Sequence, residues 1–238
     1  MKRNKKILVT GGDGRFAKIL KNKNKTLNLI FCSKKELNIM IPSSIEKAIK
    51  KNKPDIILHC AGLSRPMDIH KKNITRSIDL NIIGTAQLTK LCEKFNIKLI
   101  YFSTGYVYEG KRGNYSETDS VKPFNNYGLS KLGGECSVAM YYNSLILRVT
   151  MTEKPFSYKK AYSNLKTNFM YHEELVSILP KLIDKYGIIN VGGKIQSVYD
   201  FAKKNNPKIK KIIVKTKNEM PLNQTMDINK LKIIVGQK

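Results

Sequence analysis

The sequence predicts an α/β fold built on a doubly wound parallel sheet, and three observations carry that expectation. Short apolar runs alternate with helical patterns up to about Thr150. The run Ile56 to Cys60 is apolar apart from His59, as a strand covered on both faces must be. A glycine-rich turn, Thr10-Gly11-Gly12-Asp13-Gly14, follows directly on the first apolar run.

Taken in order, Ile7 to Thr10 reads as the first strand, Arg15 to Lys21 as a helix and Leu27 to Cys32 as the second strand. Ser43 to Lys53 is helical, with Ser43 or Ser44 as cap and Ile45, Ala48 and Ile49 on one face, and Pro54-Asp55 ends it. After the third strand comes a long helix, Ile74 to Phe95, then a strand at Lys98 to Ser103, a helix from Asn126 to Tyr142 and a strand at Leu145 to Val149. Beyond Thr150 the pattern loosens. Met151 to Met170 is polar and reads as loop. Glu173 to Tyr186 is helical, with Pro180 expected to kink or break it. Ile188 to Val191 reads as a strand, Ile195 to Lys204 as a helix and Ile212 to Lys215 as a late strand.

Composition narrows the class. No run of 18 uncharged apolar residues exists, so no membrane span is expected. The basic start Met1 to Lys6 is followed by only four apolar residues before Gly11, too few for a signal peptide. Cys32, Cys60, Cys92 and Cys136 form no CxxC pair, which points to free thiols and a cytoplasmic protein. The charge is 44 − 18 = +26. Such a field attracts nucleic acid and phosphorylated ligands alike. Yet six of the 44 basic residues are Arg, Asn and Ile are abundant, and the lysines are spread evenly, so compositional bias outweighs a nucleic-acid function.

The turn sits where a dinucleotide fold seats a pyrophosphate, on a helix N-terminus against bare backbone N–H groups. Its spacing is TGxxGxxA: Gly11 makes the turn, Gly14 lets the backbone approach, Ala17 lets the helix pack, and Asp13, Arg15 and Phe16 complete the loop. The fold expected is therefore of Rossmann type, with NAD or NADP as cofactor. No acid stands at the end of the second strand, where Ser33 and Lys34 follow Cys32; these suit a 2′-phosphate, so NADP(H) is favoured over NAD(H).

Tyr127-Gly128-Leu129-Ser130-Lys131 is a YxxxK pair at a helix start. Four residues is about one turn, so both side chains share a face. A tyrosine is a poor acid–base group at neutral pH unless a neighbouring charge favours its phenolate, and an ammonium one turn away supplies that charge. The strand ending in Ser103-Thr104 precedes the pair, and strand C-termini are where open parallel sheets place ligands. Thr104, Tyr127 and Lys131 thus form a candidate catalytic set for hydride transfer at a carbonyl, with Tyr127 as general acid; Tyr127 and Lys131 also count among the candidate cofactor-binding residues, since the lysine can reach the cofactor ribose.

These residues resemble a known family, the dTDP-4-dehydrorhamnose reductases among the extended short-chain dehydrogenases/reductases. The resemblance runs through Ile7-Leu8-Val9-Thr10-Gly11, Lys53-Pro54-Asp55-Ile56-Ile57, Asn81-Ile82-Ile83-Gly84-Thr85, Phe102 to Tyr108, Gly113 to Glu117 and Asn126 to Leu132, with Pro221-Leu222-Asn223, Met226-Asp227 and Lys230-Leu231 late in the chain. It implies reduction of a nucleotide-linked 4-keto-6-deoxysugar. It places Gly11, Gly14 and Ala17 at the pyrophosphate, Asn38 and Ile39 over the adenine, and Ala61 and Gly62 beside the cofactor. It implies residues 1–150 as the cofactor-binding domain and 151–238 as a reduced substrate-binding region interleaved with the last strand and helices. The chain departs from the family at Gly105, where an Asp is usual, and at Met151, where a Trp is usual, and its substrate segment is short.

Other residues carry plainer expectations. His59 reads as a satisfied core residue, and His70 and His172 lack metal-type partners. Arg65 can meet a phosphate or stay at the surface, Arg148 suits pairing with a carboxylate, and Asn81 suits bracing the sheet. Two alternatives stand beside the reductase: an epimerase of the same fold, and a non-catalytic NADP-binding subunit. The partner expected is a nucleotide sugar; a homodimer is left open.

Overall fold

The computed structural model describes residues 4–215 and 220–236; of the basic start, Met1, Lys2 and Arg3 lie outside them. A six-stranded sheet forms the centre. Its strands are β1 (Lys6–Thr10), β2 (Asn28–Cys32), β3 (Ile56–His59), β4 (Lys98–Thr104), β5 (Ser144–Val149) and, after four short strands, β10 (Gly187–Val191). The order across the sheet is β10-β5-β4-β3-β1-β2, and every pairing is parallel. This is the Rossmann-type doubly wound sheet expected, and the strand order reverses between β1 and β3. Ligands of such sheets bind outside the strand ends at that reversal.

Two apolar layers cover the sheet. One face packs α1 (Arg15–Lys23), α7 (His172–Leu182) and α9 (Asn229–Val235) through Phe16, Leu20, Leu175, Leu179 and Leu231. The other packs α2 (Pro42–Asn52), α5 (Gly84–Lys94) and α6 (Asn126–Ala139) through Ile45, Ile49, Leu88 and Val138. Side chains alternate between faces along each strand, so Ile56 and Leu58 point to the first layer and Ile57 to the second.

The long helix expected from Ile74 is continuous but not uniform. α3 (Ile69–Lys72) precedes α4 (Ile74–Ile78), a π-turn spans Asp79–Ile83, and α5 follows. π-turns of this kind tend to mark functional places. Here the turn carries the buried Asn81, and α6 lies directly on it: a Cβ at Gly134 would come within 2.4 Å of the Asn81 carbonyl oxygen.

The region read as loop instead holds β6 (Met151–Thr152), β7 (Lys160–Tyr162), β8 (Lys166–Thr167) and β9 (Met170–Tyr171). Sequence periodicity has no purchase on strands of two or three residues. They pair with one another or with β11 (Gln196–Ser197) and β12 (Lys210–Ile212). Helix α8 (Val198–Lys203) starts later than expected because Gln196 and Ser197 are taken by β8, and Ser197 then caps it by accepting from the Asp200 N–H. Helix α7 ends at Leu182, two residues past Pro180. A small separate core joins these parts: Phe156, Ala161, Leu165, Tyr171, Val198, Phe201, Ala202, Ile209 and Val214. Among the described residues no helix is long and apolar enough to cross a membrane.

Candidate active site

The phosphate turn is built from backbone. Gly11 takes φ +65°, and a Cβ there would lie 2.8 Å from the Ala61 Cα, so only glycine lets the loop after β3 approach β1 this closely. The Gly12 N–H donates to the Cys32 carbonyl at 2.8 Å, and the Gly14 N–H to that of Gly11 at 2.8 Å. Gly14 is the N-cap of α1 and brings no side chain to cap it. The first N–H groups of α1 therefore face outward, the arrangement that holds a pyrophosphate. Asp13, Gly14 and Arg15 are exposed at its rim. Phe16 is buried, edge-on to Phe102 at 5.1 Å and to His172 at 5.6 Å, so its ring serves the core. Thr10, missed in the sequence, ties the reversal point together: its hydroxyl accepts from the Cys60 and Ala61 N–H groups at 3.1 and 3.0 Å. It also meets His59 Nδ1 at 2.9 Å, while Nε2 meets the Thr85 hydroxyl at 3.1 Å. His59 is the satisfied core residue expected, and burial, then Lys131, push its pKa down to about 3.

At the adenine side, Ile39 is buried with its Cδ1 against Gly84, and Asn38 closes its own turn by accepting from the Met40 N–H. Ser33 and Lys34 follow β2, but Glu36 folds back there. One carboxylate oxygen accepts from both the N–H and the hydroxyl of Ser33, each at 2.8 Å. An acid thus does stand near the end of β2, one that a reading of the strand end alone misses. The spacing Ser-x-x-Glu is its signal.

Thr104 ends β4, and Tyr127 opens α6 behind the Asn125 cap. The Thr104 hydroxyl accepts from the Tyr106 N–H at 3.2 Å, leaving its own proton to donate. Burial raises the Tyr127 phenol above its ordinary pKa, while hydrogen bonding with Thr104 and the charges of Arg65 and Arg15 pull it back. Lys131, one turn on, is buried with its ammonium 4.1 Å from the centre of the Tyr101 ring. Burial pulls its pKa down to about 7 against the opposing pull of Glu135 and Cys60. Thr104 thus acts on the Tyr127 phenol, whereas Lys131 lies over the Tyr101 ring and the cations acting on Tyr127 are Arg65 and Arg15.

Glu135 lies one further turn along α6 and is buried. It pairs with Arg148 at 2.6 Å and accepts from Ser103 at 2.5 Å. Arg148 also donates to the Tyr108 hydroxyl at 2.7 Å. Arg148 meets a carboxylate as expected, and Asn81 braces as expected, holding both backbone groups of Leu63 and donating to Ser130. Glu135 was legible in the i, i+4 spacing from Lys131 and was missed.

Around Tyr127 the structure gathers rings and charges. The His70 ring is 5.0 Å away, and its Nδ1 meets Ser77 at 2.7 Å. The Tyr106 ring is 6.1 Å away, and burial, then Tyr127, push its phenol up to about 12. The Arg65 guanidinium lies 5.4 Å from the Tyr158 ring centre. Among the described residues no group of His, Cys, Asp or Glu could hold a metal.

With this geometry in hand, comparison with known proteins is decisive for the family. Residues 5–169 match the model of the RmlD substrate binding domain. The chain belongs to that family. It is 27% identical over 227 residues to the dTDP-4-dehydrorhamnose reductase of Aggregatibacter actinomycetemcomitans, covering 83% of this chain and 76% of that protein. It is 30% identical over 155 residues to methionine adenosyltransferase 2 subunit beta of Danio rerio, covering 61% of this chain and 47% of that one. The match thus spans less than half the length of that subunit. Among solved structures, the dTDP-4-dehydrorhamnose reductase of Bacillus anthracis in complex with NADP superposes with a TM-score of 0.84 at 24% identity, over 96% of this chain and 92% of that one.

Proposed function

We propose that this RmlD-family chain is an NAD(P)H-dependent reductase of a nucleotide-linked 4-keto-6-deoxysugar. The observation that carries the reading is Thr104 at the C-terminal end of β4 acting on the Tyr127 phenol at the start of α6, on the same sheet edge as the open phosphate turn. The turn fits a dinucleotide on its own evidence: the cradle at Gly11 and Gly14 leaves no room for side chains, and a Cβ at Gly14 would sit 3.0 Å from the Gly11 carbonyl oxygen. Gly11, Gly14 and the N–H groups of Arg15 and Phe16 would hold the pyrophosphate. Asn38 and Ile39 would flank the adenine, Ser33 and Lys34 the ribose end, and Ala61 and Gly62 the nicotinamide side. When bound, the nicotinamide supplies hydride.

The chain's own residues do the rest. Tyr127, held protonated by burial, gives its Oη proton to the carbonyl oxygen. Thr104 donates to that same oxygen and fixes its direction. Lys131 supports the phenolate left behind when it carries its charge, which its pKa near 7 makes a matter of ambient pH. NADP(H) is favoured by Ser33 and Lys34, and the Glu36 carboxylate on Ser33 opposes it. The division into residues 1–150 and 151–238 and a cytoplasmic setting belong to this proposal; the four free cysteines support the latter.

A second reading is a non-catalytic NADP-binding subunit, favoured by the likeness to a methionine adenosyltransferase subunit. Incubation with NADPH and 4-keto-6-deoxysugar nucleotides separates the two. Loss of NADPH absorbance with formation of a reduced sugar supports the reductase. Binding of NADPH without turnover of any such sugar supports the subunit, and isomerised sugar without net oxidation would point to an epimerase.

A further inference from the structure

Between the phosphate turn and Tyr127 lies a charge arrangement that the reaction scheme does not use. Glu153, just beyond β6, is clasped by two arginines from different parts of the sheet edge. Arg15 opens α1 at the turn and reaches Glu153 Oε1 at 3.1 Å. Arg65 lies on the chain after β3 and reaches Oε2 at 2.7 Å. The Thr152 hydroxyl donates to Oε2 at 3.4 Å, and Arg15 donates to Ser64 at 3.2 Å. The carboxylate is three-quarters covered, with 24% of its side chain exposed. Both arginines also act on the Tyr127 phenol, so the bridge lies within electrostatic reach of that hydroxyl.

A ligand seated at the turn lies beside Arg15, and one that reaches Tyr127 lies within the field of both arginines. An arriving diphosphate meets two guanidiniums matched to it in shape and a carboxylate that repels it. Both anions cannot hold the same two forks. We propose that Arg15 and Arg65 are the ligand's diphosphate-binding pair and that Glu153 is an internal counter-anion which the ligand displaces. This rests on the proposed nucleotide-binding reading and adds to it a specificity determinant from three separated segments. Glu153 keeps the two cations paired and placed in the free chain, and its withdrawal lets them close on the phosphates. The arginines then favour ligands with a diphosphate over uncharged sugars of the same shape. The diphosphate can belong to the dinucleotide or to the sugar nucleotide.

The test is calorimetric binding of NADPH and, separately, of dTDP to the wild type, Glu153→Gln, Arg65→Gln and the double variant, with thermal unfolding to confirm that each is folded. Glu153→Gln is expected to tighten one of the two ligands about fivefold, the scale of a partly exposed charge pair. Arg65→Gln is expected to weaken that same ligand comparably. In the Arg65→Gln background the gain from Glu153→Gln is expected to shrink markedly, because the carboxylate then competes for one fork instead of two. Tightening of NADPH assigns the pair to the dinucleotide, and tightening of dTDP to the sugar nucleotide. If the wild type binds and Glu153→Gln binds neither ligand more tightly, the counter-anion proposal falls and the nucleotide-binding reading stands. If Glu153→Gln tightens both ligands equally whether or not Arg65 is present, the effect is diffuse charge and the proposal falls likewise. If no folded variant binds either ligand, both readings fall.

Discussion

The proposed nucleotide side and the proposed sugar side of this molecule are built differently. The nucleotide side rests on six parallel strands between two helical layers, and its turn is fixed by contacts no side chain could enter, such as Gly11 against Ala61. The sugar side rests on strands of two or three residues around a separate core of nine buried side chains, centred on Phe201 and Tyr171. The first is determined by long-range pairing of buried backbone. The second has little hydrogen-bonded ladder and depends on a few aromatic contacts, among them Tyr171 against Phe201 at 4.5 Å. In the proposed reading chemistry sits on the sheet side, and substrate choice on the side built from short strands.

Tyr127→Phe tests the chemical half of this contrast and should have the largest effect. Turnover should fall by about two to four orders of magnitude, the scale of losing a general acid, while the NADPH dissociation constant stays within about twofold. Stopped-flow absorbance and calorimetry read the two quantities. A parallel loss of binding would place Tyr127 in the cofactor site instead.

The structural half is tested by a pair of variants. Glu135→Gln leaves Arg148 buried without its counter-charge, and urea unfolding should show a loss of about 3–5 kcal/mol across the whole chain. Phe201→Ala empties part of the small core, and hydrogen exchange should accelerate between about residues 156 and 214 while the amides of β1, β3 and β4 stay protected. Equal acceleration in the central sheet would mean that the two sides unfold as one.

These residues also mark what the sequence could reveal. The central sheet and the glycine turn were legible because each depends on local periodicity or on a short local spacing, and the placement of Tyr127 and Lys131 one turn apart on α6 was legible for the same reason. Glu135 was available by the same rule, and Glu36 by its spacing from Ser33. Glu153 was not: nothing near it in the chain announces that residues 88 positions away, at Arg65, will clasp it. The short strands from Met151 to Tyr171 were equally hidden, since two residues carry no period. Helix α9 was hidden for a related reason, being a seven-residue element held by packing on α7 and β10.

Smaller effects sharpen the account of the nucleotide side. Lys131 binds its proton less tightly folded, near pH 7, than unfolded, near 10.5. Between those values the unfolded chain holds more protons, so this residue makes stability rise with pH through that window, and the penalty is complete below pH 7. Lys131→Met should lose that part of the rise, read as the difference between the two proteins' urea midpoints at pH 7 and pH 9. Glu36→Gln should tighten NADPH about two- to fivefold with little change for NADH, because it removes one negative charge beside Ser33 and keeps an acceptor for it. Unchanged discrimination would place the 2′-phosphate elsewhere.

The central claim, that the sheet edge carries hydride transfer to a carbonyl with Tyr127 as acid, is tested most directly by following the label. NADPH deuterated at the transferable position is incubated with a dTDP-linked 4-keto-6-deoxysugar and the chain, and the sugar nucleotide is weighed by mass spectrometry. The account predicts a product carrying one deuterium at the former carbonyl carbon, formed by the wild type and nearly absent with Tyr127→Phe. A folded wild type that binds the labelled cofactor and returns the sugar unlabelled would contradict it.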